Sequence, residues 1–412
     1  MKPALYLSSI ALLILFSCND PYIKEDTASI NVSNIKRINI SDSFTTGSVN
    51  ILSDSISVIR MDTTVSIGTI DKLIVTQGGC FILDNTSDNI IHINDQGNIV
   101  WDLNTMLSKE RPRKNKIKDF ALRGNRLYIM DGKFNLTMVD TGTGKPTGGR
   151  LALYNRRYQM VTGNFFVDPT GNFVICDHNK TKSSELPYKI GVLDPTGKKM
   201  LSLHYAPPFD QLPWLNEHFP LHPFSDNSGF FYSDALNDTI YAYKDTAFQR
   251  AYVVDFGSKK TPLSEVTSRP TLAEFSNTTY AGNISQVVDL DGMVCFRFYW
   301  EQRYPVTFFN TETQKARTFF PLIFSADPLA IIPTILCSHN GSIYFSIDPQ
   351  QVMDAYANFK KALYATVDKG IYESILQRKY PLFYKLYNGL SYNSNPIIIS
   401  ARISRDNVFP HG

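Results

Sequence analysis

The residues best equipped for chemistry in this 412-residue chain gather in "HYAPPFDQLPWLNEHFPLHPF", His204 to Phe224. The stretch holds His204, His218 and His222, with Trp214 among them. On a helix, His218 and His222 would stand at i and i+4 on one face and could hold a metal ion. Pro220 and Pro223 work against that helix, because proline removes a backbone donor and clashes with the preceding turn. An irregular loop fits better, one that either packs over the rest of the fold or offers Trp214, His218 and His222 as a binding platform. An aromatic face with a polar tip suits sugar rings and peptides. A second group is Arg297, Trp300 and Arg303 in "FRFYWEQRYP", two cations around an indole that could face a channel or a groove between structural units. Asp177, His178 and Asn179 form a dense polar cluster at a strand end, and a structural role suits them best.

No catalytic set emerges. "TGTGKPTGG" (141–149) has neither phosphate-loop spacing, and it joins two strands instead of opening a helix. There is no GxSxG elbow and no HExxH zinc helix. Cys80, Cys176, Cys295 and Cys337 each lie in or beside an apolar run, with no CxxC pair. That placement reads as small buried hydrophobes. No metal ligand set is nominated, and calcium has no support from the residues. The net charge of +3 argues against a nucleic-acid partner. The one basic run, "KERPRKNKIK" (109–118), reads as a solvated loop.

The elements that must position such residues repeat. A glycine turn, a short apolar strand, an aspartate, a polar gap and a second strand recur, as in "GGCFILDNTSDNIIHINDQGNIV" (78–100) and "GNRLYIMDGKFNLTMVDTGTGKP" (124–146). Anchored on Gly79, Gly124, Gly171, Gly229, Gly292 and Gly341, the intervals are 45, 47, 58, 63 and 49 residues. Propeller blades run near 40 to 50 residues, and longer intervals imply loop insertions. The strands are apolar on both faces, as a sheet between two neighbours requires. Asp84, Asp131, Asp177, Asp234 and Asp348 close strands in five of the six units and read as caps of local backbone N–H groups.

The chain ends frame this array. After Lys2 comes "ALYLSSIALLILF", too short for a spanning helix of about 20 residues. It fits a secretory signal. Leu15-Phe16-Ser17-Cys18 resembles a bacterial lipobox, which makes Cys18 the lipidated first residue of the mature chain. "KED" (24–26) resembles an acidic export tag, and Asp62-Thr63-Thr64, Asp238-Thr239-Ile240 and Asp245-Thr246-Ala247 resemble an O-glycosylation triplet. The expected division is a signal peptide at 1–17, a lipidated tether at 18–48, a propeller at 49–405 and a tail at 406–412. Within the propeller, 349–390 is a helical insertion, read as two helices interrupted by Pro381.

Taken in order, "SISVIRMDTT" (55–64), "IGTIDKLIV" (67–75), "FILDNTSDNIIHINDQGNIV" and "YNSNPIIISARIS" (392–404) resemble the six-bladed β-propeller lipoproteins of certain Gram-negative gut bacteria, relatives of NHL-repeat and TolB-like propellers. The resemblance covers residues 49 to 405 and implies an all-β, six-bladed propeller with a short helical segment before the closing C-terminal strand. Unpaired edges invite aggregation, so the strand around Ile56–Met61 should complete the last blade beside Ile397–Ile403. The implied function is a membrane-anchored binding or scaffold module for a glycan, a peptide or an envelope protein, on an outer-membrane lipoprotein facing the periplasm or the cell exterior. The alternative is a propeller enzyme, lactonase-like or lyase-like, with a metal in the central channel.

Overall fold

The computed structural model describes residues 24–26, 35–40, 44–106, 116–153, 162–177, 188–205, 221–233, 237–262, 279–326, 329–364 and 371–410. Six sheets follow one another around an axis. Blade 1 consists of Lys72–Thr76, Gly79–Asp84, Asn89–Asn94 and Ile99–Asp102, from the axis outward. Blade 2 runs from Ile117–Arg123 to Leu151–Ala152, blade 3 from Thr162–Val167 to Met200–Tyr205, and blade 4 from Leu221–Pro223 to Ala247–Asp255. Blade 5 runs from Ala281–Leu290 to Ala316–Ala326. Blade 6 joins Thr334–His339, Ser342–Ile347 and Ile397–Ile403 to Ser53–Arg60 from the other end of the chain.

The six anchor glycines all fall at the hairpin between the first and second strands of a blade. Two of them admit no side chain, since a Cβ at Gly79 would lie 2.1 Å from Ile93 O and one at Gly229 would lie 2.0 Å from Tyr243 O. The repeat legible in the sequence therefore starts one strand late, and the innermost strand of each blade precedes its glycine. The strand-end aspartates behave as caps. Asp84 accepts from Gly68 N at 2.8 Å, Thr86 N at 2.9 Å and Ser87 Oγ at 2.7 Å. Burial alone would raise its carboxyl, but the Ser87, Gly68 and Thr69 hydrogen bonds outweigh that and hold it below the ordinary value. Asp131 caps Lys133 N and Asn135 N, and Asp348 caps Gln350 N. The side chains of Asp177 and Asp234 lie outside the described residues.

Alternation along each strand explains the two-sided apolarity. In Gly79–Asp84, Phe81 and Leu83 pack with Phe120 and Leu127 of blade 2, while Cys80 and Ile82 pack with Ile398 and Cys337 of blade 6. The same division gives a separate core at each of the six blade interfaces. Cys80, Cys176 and Cys295 are buried and Cys337 is half-buried, all as free thiols. Burial pushes the Cys80 thiol up to about 12, so it stays a poor nucleophile in the folded chain.

Closure pairs Ile56 with Ala401 and Ile59 with Ile398. Asn395 locks the seam: its Oδ1 accepts from Ile67 N at 2.8 Å, and its amide donates to Asp62 O and Val65 O. The segment expected as a tether does more than connect. Lys24–Asp26, Lys36–Asn39 and Thr45–Ser48 add parallel strands to the outer edges of blades 3, 4 and 5. Ile38 is wholly buried there. Among its described residues the helical insertion holds three helices, Pro349–Tyr364, Tyr372–Lys379 and Pro381–Tyr387, where two were expected. Pro381 opens the third helix instead of breaking the second, since its missing N–H is unneeded at a first turn. Val352, Tyr372, Leu376, Phe383 and Leu386 seat these helices on the core between blades 5 and 6.

Up-and-down strand order makes the two faces of the disc unequal. First-to-second and third-to-fourth connections fall on one face and are mostly tight hairpins, such as 76–79 and 244–247. The long connections between blades, and the helical insertion, leave from and return to the other face.

Candidate functional site in the central channel

The innermost strands enclose a cavity of about 360 Å³ along the axis. Blades 1, 3, 4, 5 and 6 contribute to its wall. Much of the polar lining is committed to holding blades together. Asp119, wholly buried on the inner strand of blade 2, accepts from Lys72 Nζ of blade 1 at 2.7 Å and from Phe165 N of blade 3 at 2.9 Å. Asp289 of blade 5 does the corresponding work elsewhere in the ring. It accepts from Ser225 N at 2.7 Å and Ser225 Oγ at 2.9 Å in blade 4, and from Ser338 Oγ at 3.1 Å in blade 6. Each carboxylate therefore bridges three blades. Among the described residues no three His, Cys, Asp or Glu side chains group as a metal ion would require.

Arg297 is the exception to this matching. It stands on the second strand of blade 5, opposite Ser285 of the inner strand. The inner strand shifts register on both sides of Ser285, and Asn283 and Gln286 take left-handed φ values of 56° and 51° there. Bulges of this kind re-aim side chains, and they recur beside functional sites. Here they set Gln286 Oε1 at 3.1 Å from Arg297 Nη1. The guanidinium lies 5.2 Å from the centre of the Tyr304 ring. Burial pushes its proton affinity below the ordinary value, with Tyr304 and Cys295 opposing, and no carboxylate takes part.

The other sequence candidates disperse. Strand alternation turns Trp300 away from Arg297 and into the core between blades 4 and 5, where its ring meets Phe44 edge-on at 4.6 Å. Arg303 sits in the exposed turn after that strand, with its guanidinium 5.5 Å from the Phe320 ring. His222 lines the channel and shares a 3.2 Å hydrogen bond with Ser233 Oγ. His204 is buried, its Nε2 3.1 Å from Ser202 Oγ. Trp214, His218 and Cys18 lie outside the described residues. Of the glycosylation triplets, Thr239 is buried while Thr63 and Thr246 are exposed. Sequence reasoning missed Ser285, Gln286, Tyr304 and Thr334 in the channel wall. Counting back one strand from Gly292 and Gly341 would have found all but Tyr304, which lies on the far side of the hairpin from Arg297.

No protein-family model matches the chain, and no curated protein matches it in sequence. Among solved structures, a presumed exported protein of Bacteroides fragilis NCTC 9343 aligns over 90% of this chain and 100% of its own, at 12% identity and a TM-score of 0.65. The likeness is one of fold. A DUF4221-family protein of Bacteroides vulgatus covers 85% of this chain and 96% of its own, at 7% identity and a TM-score of 0.48.

Proposed function

We propose that the chain is an extracytoplasmic β-propeller lipoprotein, anchored to the outer membrane through lipid on Cys18, that binds a glycan or peptide ligand in its central channel. The observation that carries this reading is the axial cavity walled by five blades, with one wall arginine that has no carboxylate partner among the described residues. The fold shared with a presumed exported Bacteroides protein and the lipobox-like Leu15–Cys18 favour an exported, anchored chain related to the propeller lipoproteins.

Strand order supports a definite mounting. Lys24–Asp26 runs parallel to the outermost strand of blade 3, with Lys24 beside Ser202. Lys24 therefore lies at the hairpin-face end of that strand. Five residues lie between Cys18 and Lys24, six steps along the chain and a reach of roughly 20 Å at full extension. A lipid on Cys18 would hold the rim at blade 3, with the hairpin face toward the membrane and the elaborated face away from it. Cys18→Ala is expected to release the protein from the membrane fraction; unchanged sedimentation with membranes would count against the anchor.

The channel reading is tested with Thr334→Trp. Thr334 is an exposed residue of the cavity wall, so an indole there fills the channel without entering a blade core. Any glycan or peptide that raises the unfolding temperature of the wild type is expected to lose that effect in the variant, whose own unfolding temperature stays near wild type. A ligand that stabilises both proteins equally would place binding elsewhere.

A further inference from the structure

We propose that the channel selects an acidic sugar, its carboxylate held by Arg297 and its ring set against Tyr304; this rests on the channel-binding reading above. The guanidinium donates from Nη1 to Gln286 Oε1, while Nε is shut off from solvent with no acceptor. Nη2 likewise has no carboxylate partner among the described residues. In arginine, Nε–H and the Nη2–H beside it form the side-on fork that matches the two oxygens of a carboxylate. The bond to Gln286 occupies the other end of the group and fixes its plane; Nε, closed to solvent as it stands, completes the fork with a ligand only after a small turn of the guanidinium.

The wall carries charges of both signs. Lys72 is matched by Asp119, while Asp71 also lines the cavity as a carboxylate, its Oδ2 accepting from Asn85 N at 2.7 Å and Thr69 Oγ1 at 2.8 Å. Arg297 has no counter-ion among the described residues, so it is the cation of the wall that can receive an anion. Tyr304 is 49% exposed although it lines the cavity; Arg297 lies over its ring and Tyr299 meets it edge-on at 5.6 Å, so the aromatic surface left for a ligand is the part those two do not cover. Ser285 and Thr334 add neutral polar groups to the same wall. One carboxylate site, one aromatic face and nearby hydroxyls together suit a pyranose uronate. A cavity of about 360 Å³ is at the small end of ligand pockets, which fits one or two rings and not a long chain.

The test uses the folded protein with glucuronic, galacturonic and mannuronic acids, each beside its neutral hexose, read by ligand-observed NMR and titration. At least one uronate is expected to bind better than its neutral counterpart. Arg297→Gln should weaken that uronate by about 10- to 100-fold, the loss typical of a hydrogen bond to a charged group, and should leave the hexose unchanged. Arg297→Lys keeps the charge without the fork and should fall between the two. The inference is overturned if no uronate binds, or if Arg297→Gln and Arg297→Lys bind it as the wild type does. If the hexoses bind as well as the uronates and Thr334→Trp blocks both, the acid preference fails while the channel reading stands. If Thr334→Trp blocks neither, the channel reading fails as well.

Discussion

Asp119→Ala is expected to destabilise the propeller by about 3–5 kcal/mol, the usual cost of removing one partner from a buried ion pair. The carboxylate has no solvent exposure, and Lys72 keeps only 14% of its side chain in water. The substitution strands the Lys72 ammonium beside Phe120 O and leaves the buried Phe165 N without its acceptor. Because those groups come from blades 1, 2 and 3, the loss loosens two blade interfaces at once. Lys72→Met in the same background should restore a large part of the stability, since the unmatched charge then disappears. Denaturant unfolding of the two single variants and the double variant checks both statements. A loss below about 1 kcal/mol for Asp119→Ala would show that the ion pair contributes no more than an exposed one.

A chain that begins at Met61 is expected not to accumulate as a soluble monomer. It lacks Ser53–Arg60, which pairs with Ile397–Ile403 at seven positions. Without that strand, blade 6 keeps three strands and presents a row of unpaired backbone groups beside Ile397, Ile398 and Ile399, all buried in the intact ring. Such an edge is a template for association with other chains. A chain that begins at Val49 keeps the closing strand and loses only the outer strands of blades 3 to 5. It should remain monomeric with a lower unfolding temperature. Size-exclusion chromatography separates the two cases, and a peptide spanning 44–61 should return the shorter chain to monomer. A monomeric, cooperatively folding chain from Met61 onward would mean that the closing strand is dispensable.

Much of the fold was legible because its signals are local. Six glycines at blade-like intervals mark positions where a hairpin cannot hold a Cβ, as the approach of Gly229 to Tyr243 O demonstrates. Strands apolar on both faces announced sheets packed between neighbours, and each blade interface has its own core. The pairing of Ile56–Met61 with Ile397–Ile403 followed from the need to hide two edges, and Ser53–Arg60 meets that need. Helical spacing located the insertion but miscounted its helices, because the proline rule alone does not distinguish a break from a new first turn.

The channel was decided by tertiary structure. Arg297 was visible as a residue, but its setting depends on two register shifts in a neighbouring strand and on a glutamine eleven positions away across a hairpin. Trp300, three residues further on, was grouped with it by proximity, and strand alternation sends it to the opposite side. Asp119 drew no notice because its partners Lys72 and Phe165 lie 47 and 46 residues away in other blades. The outer strands at Lys36–Asn39 and Thr45–Ser48 went unread for the same reason. A short polar segment carries no period of its own, and only the unpaired edge of a distant blade makes it a strand. Local sequence thus determined the turns, the strands and the number of blades. Contacts between residues far apart in the chain decided which side chains face the axis and which of them lack a partner there.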